Sequence, residues 1–173
     1  MGESGIKWCF FLYFYRVMAP FIGEYTCRLD AKGRMIFPAA FKKQMPVDTG
    51  DRFVIKRDVF EKCLVMYPMD EWDRQNRIIR SRTNSFNREH QQFLRKYFHG
   101  TAEVKVDGSG RILIPRRLLD IAGIDNEVVM AGQFGKIEIW NSAAYDQASS
   151  FTDDFAVLAE RILGNSMNEP END

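Results

Sequence analysis

Cysteine and histidine are scarce in this chain, and the scarcity excludes several chemistries. The three cysteines, Cys9, Cys27 and Cys63, are odd in number and contain no Cys-x-x-Cys pair. That argues against a disulfide framework or a thiolate zinc site, and a reducing cytosol is the simplest setting. The only histidines are His90 and His99. On one helix, at about 100° per residue, they would face roughly opposite sides and make a poor metal pair. No glycine-rich phosphate loop of Walker or Rossmann type is present, and no pair of carboxylates stands out as an acid and a base. An enzyme, a metal site or a bound cofactor is therefore not expected. A net charge is also lacking, since 24 basic residues balance 24 acidic ones. Bulk charge thus does not announce a nucleic-acid partner, although a neutral total can hide opposed patches.

Long apolar runs are missing too. The stretch Trp8 to Tyr15 (WCFFLYFY) is strongly apolar but too short to span a bilayer. It could be the core of a signal peptide with Val17-Met18-Ala19 as the cleavage site. Against that, Lys7 is the only positive charge before it, Glu3 offsets Lys7, and Arg16 interrupts before the cut. A third reading is a translated leader in residues 1–17, with Met18 as the start.

What the chain does hold is uneven charge. Arg74, Arg77, Arg80, Arg82, Arg88, Arg95 and Lys96 gather in the middle against Glu89, while Asp153, Asp154, Glu160, Glu169, Glu171 and Asp173 crowd the end with Arg161 as the only base. Solvated helix faces and a polar tail are the plainer explanation of this pattern.

The chain also contains itself twice. Residues 30–38 read DAKGRMIFP and residues 107–115 read DGSGRILIP, with Asp, Gly, Arg and Pro all repeating at an offset of 77. Gly23-Glu24-Tyr25 precedes the first copy and Gly100-Thr101-Ala102-Glu103 the second. Farther on, CLVMYPMDEW (Cys63 to Trp72) answers KIEIWNSAAY (Lys136 to Tyr145). Internal repetition of this extent is the strongest signal present.

Each copy has one coarse plan. A short strand (Tyr25 to Leu29; Glu103 to Val106) enters a tight turn carrying Gly33 or Gly110, where glycine tolerates a positive φ. A second strand follows (Met35 to Phe37; Ile112 to Ile114). Then come Pro38 or Pro115, suited to a first helical position, and a short helix (Ala39 to Met45; Arg116 to Ala122, ended by Gly123). Two more strands finish the copy: Phe53 to Arg57 with Leu64 to Tyr67, and Val128 to Ala131 with Ile137 to Trp140. A module this short has little core alone. Two copies are expected to share one core in a barrel-like body with pseudo-two-fold symmetry.

Helical segments lie between and after the copies. Met69 to Arg80 reads as helix and Ser81 to Ser85 as a polar break, after which Phe86, Phe93, Leu94, Tyr97 and Phe98 mark one helical face. Phe155, Leu158, Ala159, Ile162 and Leu163 make another stripe, stopped by Gly164. Periodicity does not separate packing onto the barrel from subunit contact, and both readings stand. The expected organisation is an N-terminal extension over 1–17, repeat 1 over 23–72, a helical connector over 73–99, repeat 2 over 100–145, and a C-terminal helix with acidic tail over 146–173.

The paired motifs, with GEY before the first and YP…EW after it, resemble the MraZ family over roughly Phe21 to Tyr145, most of the chain. That resemblance implies a mainly β fold with added helices (α+β), in which two AbrB-like βαββ hairpin repeats form one swapped-hairpin barrel. It implies a cytoplasmic, nucleoid-associated transcriptional regulator. Such a protein binds tandem short direct repeats of double-stranded DNA as a homo-oligomeric ring, with no membrane partner. The target implied is the protein's own promoter, ahead of cell-division and cell-wall genes. The family's DNA-contacting signature, Asp-x-x-x-Arg, falls on Asp30 and Arg34 and on Asp107 and Arg111.

Those residues suit the task in chemical terms. The arginine guanidinium offers a planar fork of donors to phosphate, or to guanine O6 and N7. Lys32 adds charge to the first turn where Ser109 offers only a hydroxyl, so copy one is expected to hold phosphate more strongly. Cross-strand pairing or simple solvation are the plainer roles for Arg34 and Arg111. An ionised carboxylate is repelled by phosphate, so Asp30 and Asp107 are expected to accept bonds from turn N–H groups or to orient the arginine four residues on. Lys42-Lys43 and Arg116-Arg117 are secondary candidates. A protein-interaction scaffold, an antitoxin-like module and a non-specific nucleoid protein are the competing functions, since fold alone does not fix function.

Overall fold

The computed structural model describes residues 20–46, 50–150 and 153–164. The expectations about residues 1–17, Met18 as a start, and the acidic Glu169, Glu171 and Asp173 lie outside the described residues. The chain divides into two units, Met1–Ser142 and Ala143–Asp173.

The first unit holds both copies. Copy one runs β1 (Glu24–Arg28), β2 (Arg34–Ile36), α1 (Ala39–Gln44), β3 (Arg52–Arg57) and β4 (Leu64–Pro68). The connector forms α2 (Met69–Arg82) and α3 (Arg88–Phe98). Copy two repeats the plan as β5 (Ala102–Lys105), β6 (Arg111–Leu113), α4 (Arg116–Ala122), β7 (Glu127–Gln133) and β8 (Lys136–Asn141). Helix α5 (Ser142–Ala148) begins at the unit boundary, and α6 (Asp153–Leu163) lies in the second unit. Phe155, Leu158, Ile162 and Leu163 of α6 are exposed.

Strand pairing explains why two copies are needed. One antiparallel sheet has the order β1-β7-β8-β4-β3-β5, and β2 pairs with β6 in a separate two-stranded ribbon. The first strand of each copy therefore pairs with the other copy: Tyr25 sits opposite Met130, and Ala102 opposite Ile55. Exchanging the copies reverses the strand order onto itself, which is the pseudo-two-fold expected from the repeat. The expected barrel-like body thus consists of a six-stranded sheet and the β2/β6 ribbon, with one core between them.

That core draws on both copies. Phe37, Phe41, Phe53 and Met66 from copy one are buried with Ile112, Ile114, Leu118 and Met130 from copy two. Phe41 is fully enclosed, with ring centroids 4.8 Å from Tyr25 and 5.6 Å from Phe21. Fully burying each such side chain contributes about 1.5–3 kcal/mol.

The other sheet face is covered as well, which is why four consecutive residues of β3 are buried. Trp72 of α2 packs 6.1 Å from Tyr67 and 5.8 Å from Phe98 of α3. Lys56 is buried here, with its Nζ donating to the Arg57 carbonyl at 2.7 Å and lying 4.1 Å from the Tyr97 ring centroid. Burial pushes the Lys56 pKa down.

Several boundaries differ from expectation, each for a local reason. Leu29, Phe37, Val106 and Ile114 fall just beyond strands β1, β2, β5 and β6, because their N–H groups donate outside the ladders to Asn126, Gly110, Asp51 and Gly33 carbonyls. Pro38 and Pro115 occupy the N-cap, one residue before the first helical position. Helix α2 runs on through Arg82, past the expected break at Ser81. Phe86 belongs to no helical face. The Asn87 side chain caps α3 by accepting the Glu89 and His90 N–H groups, so Phe86 is left outside and exposed. His99 lies beyond the last residue of α3.

Candidate functional site

Each Asp-x-x-x-Arg segment closes a turn in the same way. In copy one, Asp30 Oδ1 accepts the N–H groups of Lys32 and Arg34, both at 2.9 Å. The Asp30 N–H donates to the Arg34 carbonyl at 2.8 Å, and the Gly33 N–H to the Asp30 carbonyl at 3.0 Å. In copy two, Asp107 Oδ1 accepts from Ser109 N–H at 2.8 Å and Arg111 N–H at 2.9 Å. Its backbone repeats the other two bonds, Asp107 to Arg111 and Gly110 to Asp107. The aspartates are thus turn-builders, as their chemistry led one to expect. Bonding to the Arg34 backbone N–H, aided by the Arg34 side chain and Lys32 N–H, holds the Asp30 carboxyl below its ordinary value. The Arg111 and Ser109 N–H groups do the same for Asp107, with the charges of Arg111 and Arg34 adding to it.

The two turns meet through the ribbon. Arg34 lies opposite Leu113, Met35 opposite Ile112, and Ile36 opposite Arg111. Side chains alternate across a strand, so Met35 and Ile112 point into the core while the residues flanking them face outward. That outward face carries Arg34 and Arg111 on one diagonal and Ile36 and Leu113 on the other. Diagonal neighbours in such a pair stand roughly 7–8 Å apart. The structure therefore brings Arg34 and Arg111 onto one ribbon face, with Asp30 and Lys32 in the turn at one end and Asp107 in the turn at the other.

The copies differ in how the arginine is held. Arg34 Nε donates to Asp30 Oδ2 at 2.8 Å, which leaves its two terminal nitrogens free among the described residues. The Arg111 guanidinium makes no hydrogen bond or ion pair among them. The secondary candidates are partly engaged elsewhere. Lys42 lies 3.6 Å from Asp51, Arg116 lies 3.0 Å from Asp120, and an Arg117 terminal nitrogen lies 2.7 Å from His99 Nε2.

Sequence reasoning singled out polar residues and passed over Ile36 and Leu113, which are 66% and 54% exposed. The signal was available in strand alternation: with Met35 and Phe37, or Ile112 and Ile114, turned into the core, the Ile36 or Leu113 between them faces outward.

Comparison with known proteins establishes the family. The family model described as "MraZ protein, putative antitoxin-like" matches residues 21–96 and 97–165. The chain belongs to the MraZ family. Among relatives, the "Transcriptional regulator MraZ" of Christiangramia forsetii is 43% identical over 86% of this chain and 96% of its own length. The protein of the same name from Flavobacterium psychrophilum is 38% identical over 86% of this chain and 94% of its own. That from Bacteroides thetaiotaomicron is 36% identical over 84% and 94%. Two successive MraZ matches agree with the two copies seen in the sheet. Among the described residues no helix is long and apolar enough to cross a membrane.

Proposed function

We propose that this MraZ protein is a sequence-specific DNA-binding transcriptional regulator, acting in the cytoplasm at the nucleoid. The observation that carries the reading is the ribbon face, on which two aspartate-anchored turns present Arg34 and Arg111 on one diagonal. Relatives named transcriptional regulators support it. Arginine donors fit phosphate oxygens and guanine edges, while one oxygen of each carboxylate is engaged by turn N–H groups. Lys32 adds a phosphate contact beside the first turn. Residues 23–72 and 100–145 act as the two repeats, joined by the connector 73–99.

One ribbon offers few phosphate contacts, so a single subunit binds weakly and salt-sensitively. A homo-oligomeric ring engaging tandem direct repeats in the promoter of the cell-division and cell-wall genes raises affinity by linkage, without new contacts. No cofactor is needed for this chemistry.

The test is a titration of the full chain against a labelled duplex from upstream of its own gene, with a shuffled duplex of equal composition as control. Selective binding, lost in Arg34→Ala/Arg111→Ala, is the expected result. Equal binding to both duplexes would point to a non-specific nucleoid protein. Absence of binding would point to a scaffold or an antitoxin-like module.

A further inference from the structure

We propose that the ribbon reads thymine as well as presenting arginine: Ile36 and Leu113 lie against thymine 5-methyl groups in the major groove. This inference rests on the DNA-binding reading above and adds to it the apolar half of the contact surface.

The ribbon face is built as a two-by-two checkerboard. Arg34 faces Leu113 and Arg111 faces Ile36 across the ladder. Each aliphatic side chain is exposed although the residue beside it in the strand, Met35 or Ile112, is 2% or 0% exposed. The pattern recurs in both copies, so it is a property of the repeat and not of one surface position. Exposed aliphatics between arginines match a surface that is anionic at its rims and carries methyl groups at its floor. The major groove is such a surface: thymine is the base that presents a methyl group there, and aliphatic contact is how proteins read it.

Dimensions agree. Two hydrogen-bonded strands lie about 4.8 Å apart, and the groove, about 12 Å wide, admits a two-stranded ribbon. With the ribbon seated, the diagonal arginines reach outward to phosphates or guanines, and the aliphatics occupy the opposite diagonal. Both turns stand at the ribbon ends, held by Phe37 N–H to Gly110 carbonyl at 2.8 Å and Ile114 N–H to Gly33 carbonyl at 3.0 Å. The contact face is therefore rigid before DNA arrives, which limits the ordering cost on binding.

The experiment titrates the full chain against the native upstream duplex, the same duplex with uracil in place of thymine, and the shuffled duplex. Uracil removes only the methyl group. The wild-type protein should lose roughly tenfold or more in affinity on uracil substitution, since each of the two base contacts is worth on the order of tenfold. Ile36→Ser/Leu113→Ser should bind the native duplex as weakly as the wild type binds the uracil duplex. It should be indifferent to uracil and keep the wild-type salt slope, because no phosphate contact is lost. Thermal melting and light scattering check that the variant folds and assembles.

Wild-type protein that prefers the native over the shuffled duplex, yet binds thymine and uracil duplexes equally, overturns the inference and leaves the regulator reading intact. A variant that changes assembly mass while keeping its affinity and its sensitivity to uracil also overturns it, and assigns the ribbon face to contact between copies. Wild-type protein that does not distinguish the native from the shuffled duplex overturns both readings.

Discussion

The carbonyl oxygen of Gly33 accepts the N–H of Ile114 at 3.0 Å, tying the first turn to the second copy. The reciprocal bond, Phe37 N–H to Gly110 carbonyl, ties the second turn to the first. Both glycines are left-handed, at φ of +80° and +73°. Their surroundings differ. A Cβ at Gly33 would stand 3.0 Å from the Ile114 carbonyl oxygen, while one at Gly110 would meet nothing within 4 Å. Gly110→Ala should cost about 1–2 kcal/mol for the backbone conformation alone. Gly33→Ala should cost more, because a backbone atom must also move. Urea unfolding of the two variants checks the order; equal losses would show that the crossed bond yields freely.

The aspartates predict an acid-side dependence. Both carboxyls titrate below the ordinary range in the folded protein, held chiefly by the N–H of Arg34 or Arg111. A depressed folded-state value contributes stability that is present above the ordinary value of about 3.9 and is lost as pH falls through the lower folded one. The Arg34 and Arg111 amide resonances should therefore titrate below about 3.9. A midpoint at or above it would mean that no ionised carboxylate holds them.

The same two aspartates should respond differently to amidation. Asp107 uses one oxygen, Oδ1, for both backbone bonds, so Asp107→Asn can keep them. Asp30 also uses Oδ2 to hold Arg34 Nε, and an amide nitrogen there would oppose a donor with a donor. Thermal melting should place Asp30→Asn below Asp107→Asn, and the reverse order would argue against the Arg34 latch.

Phe41 tests the shared core. It is fully buried against Phe21, Tyr25 and Phe37. Phe41→Ala should cost about 3–5 kcal/mol by denaturant titration. Phe41→Leu, which installs the residue that copy two holds at this place, should cost less.

Cys63 should be chemically silent in the native state. It is buried, and burial, reinforced by the charges of Asp58 and Glu138, pushes its thiol up to about 12. Alkylation at neutral pH followed by peptide mapping should leave Cys63 unmodified until the protein is unfolded, since the thiolate is the nucleophile. Rapid native labelling of Cys63 would show that β3 and β4 open locally.

Much of this was legible from two nonapeptides. A Gly and a Pro at matched places predicted the turn and the helix start in both copies, because glycine tolerates a positive φ and proline suits the start of a helix. Which strand would pair with which was not legible in the residues. Tyr25 to Leu29 reads the same whether it pairs within its copy or across, because strand-forming residues do not name their partner strand. Phe86 misled because aromatic spacing continued past a capping Asn. Lys56 was missed because lysine in a strand normally signals solvent, and here two helices cover it.

The crossed strands have an evolutionary consequence. In a dimer of identical hairpins, any substitution on the outward ribbon face would appear on both halves at once. Joining the halves in one chain while keeping the strand exchange separates them: each half now mutates alone, yet neither can drift away from the core it completes in the other. Lys32 against Ser109, Phe41 against Leu118 and the latched Arg34 against the unlatched Arg111 are marks of that freedom. A symmetric scaffold of this kind can make its two halves chemically unlike, one residue at a time, without ever passing through a half-built fold.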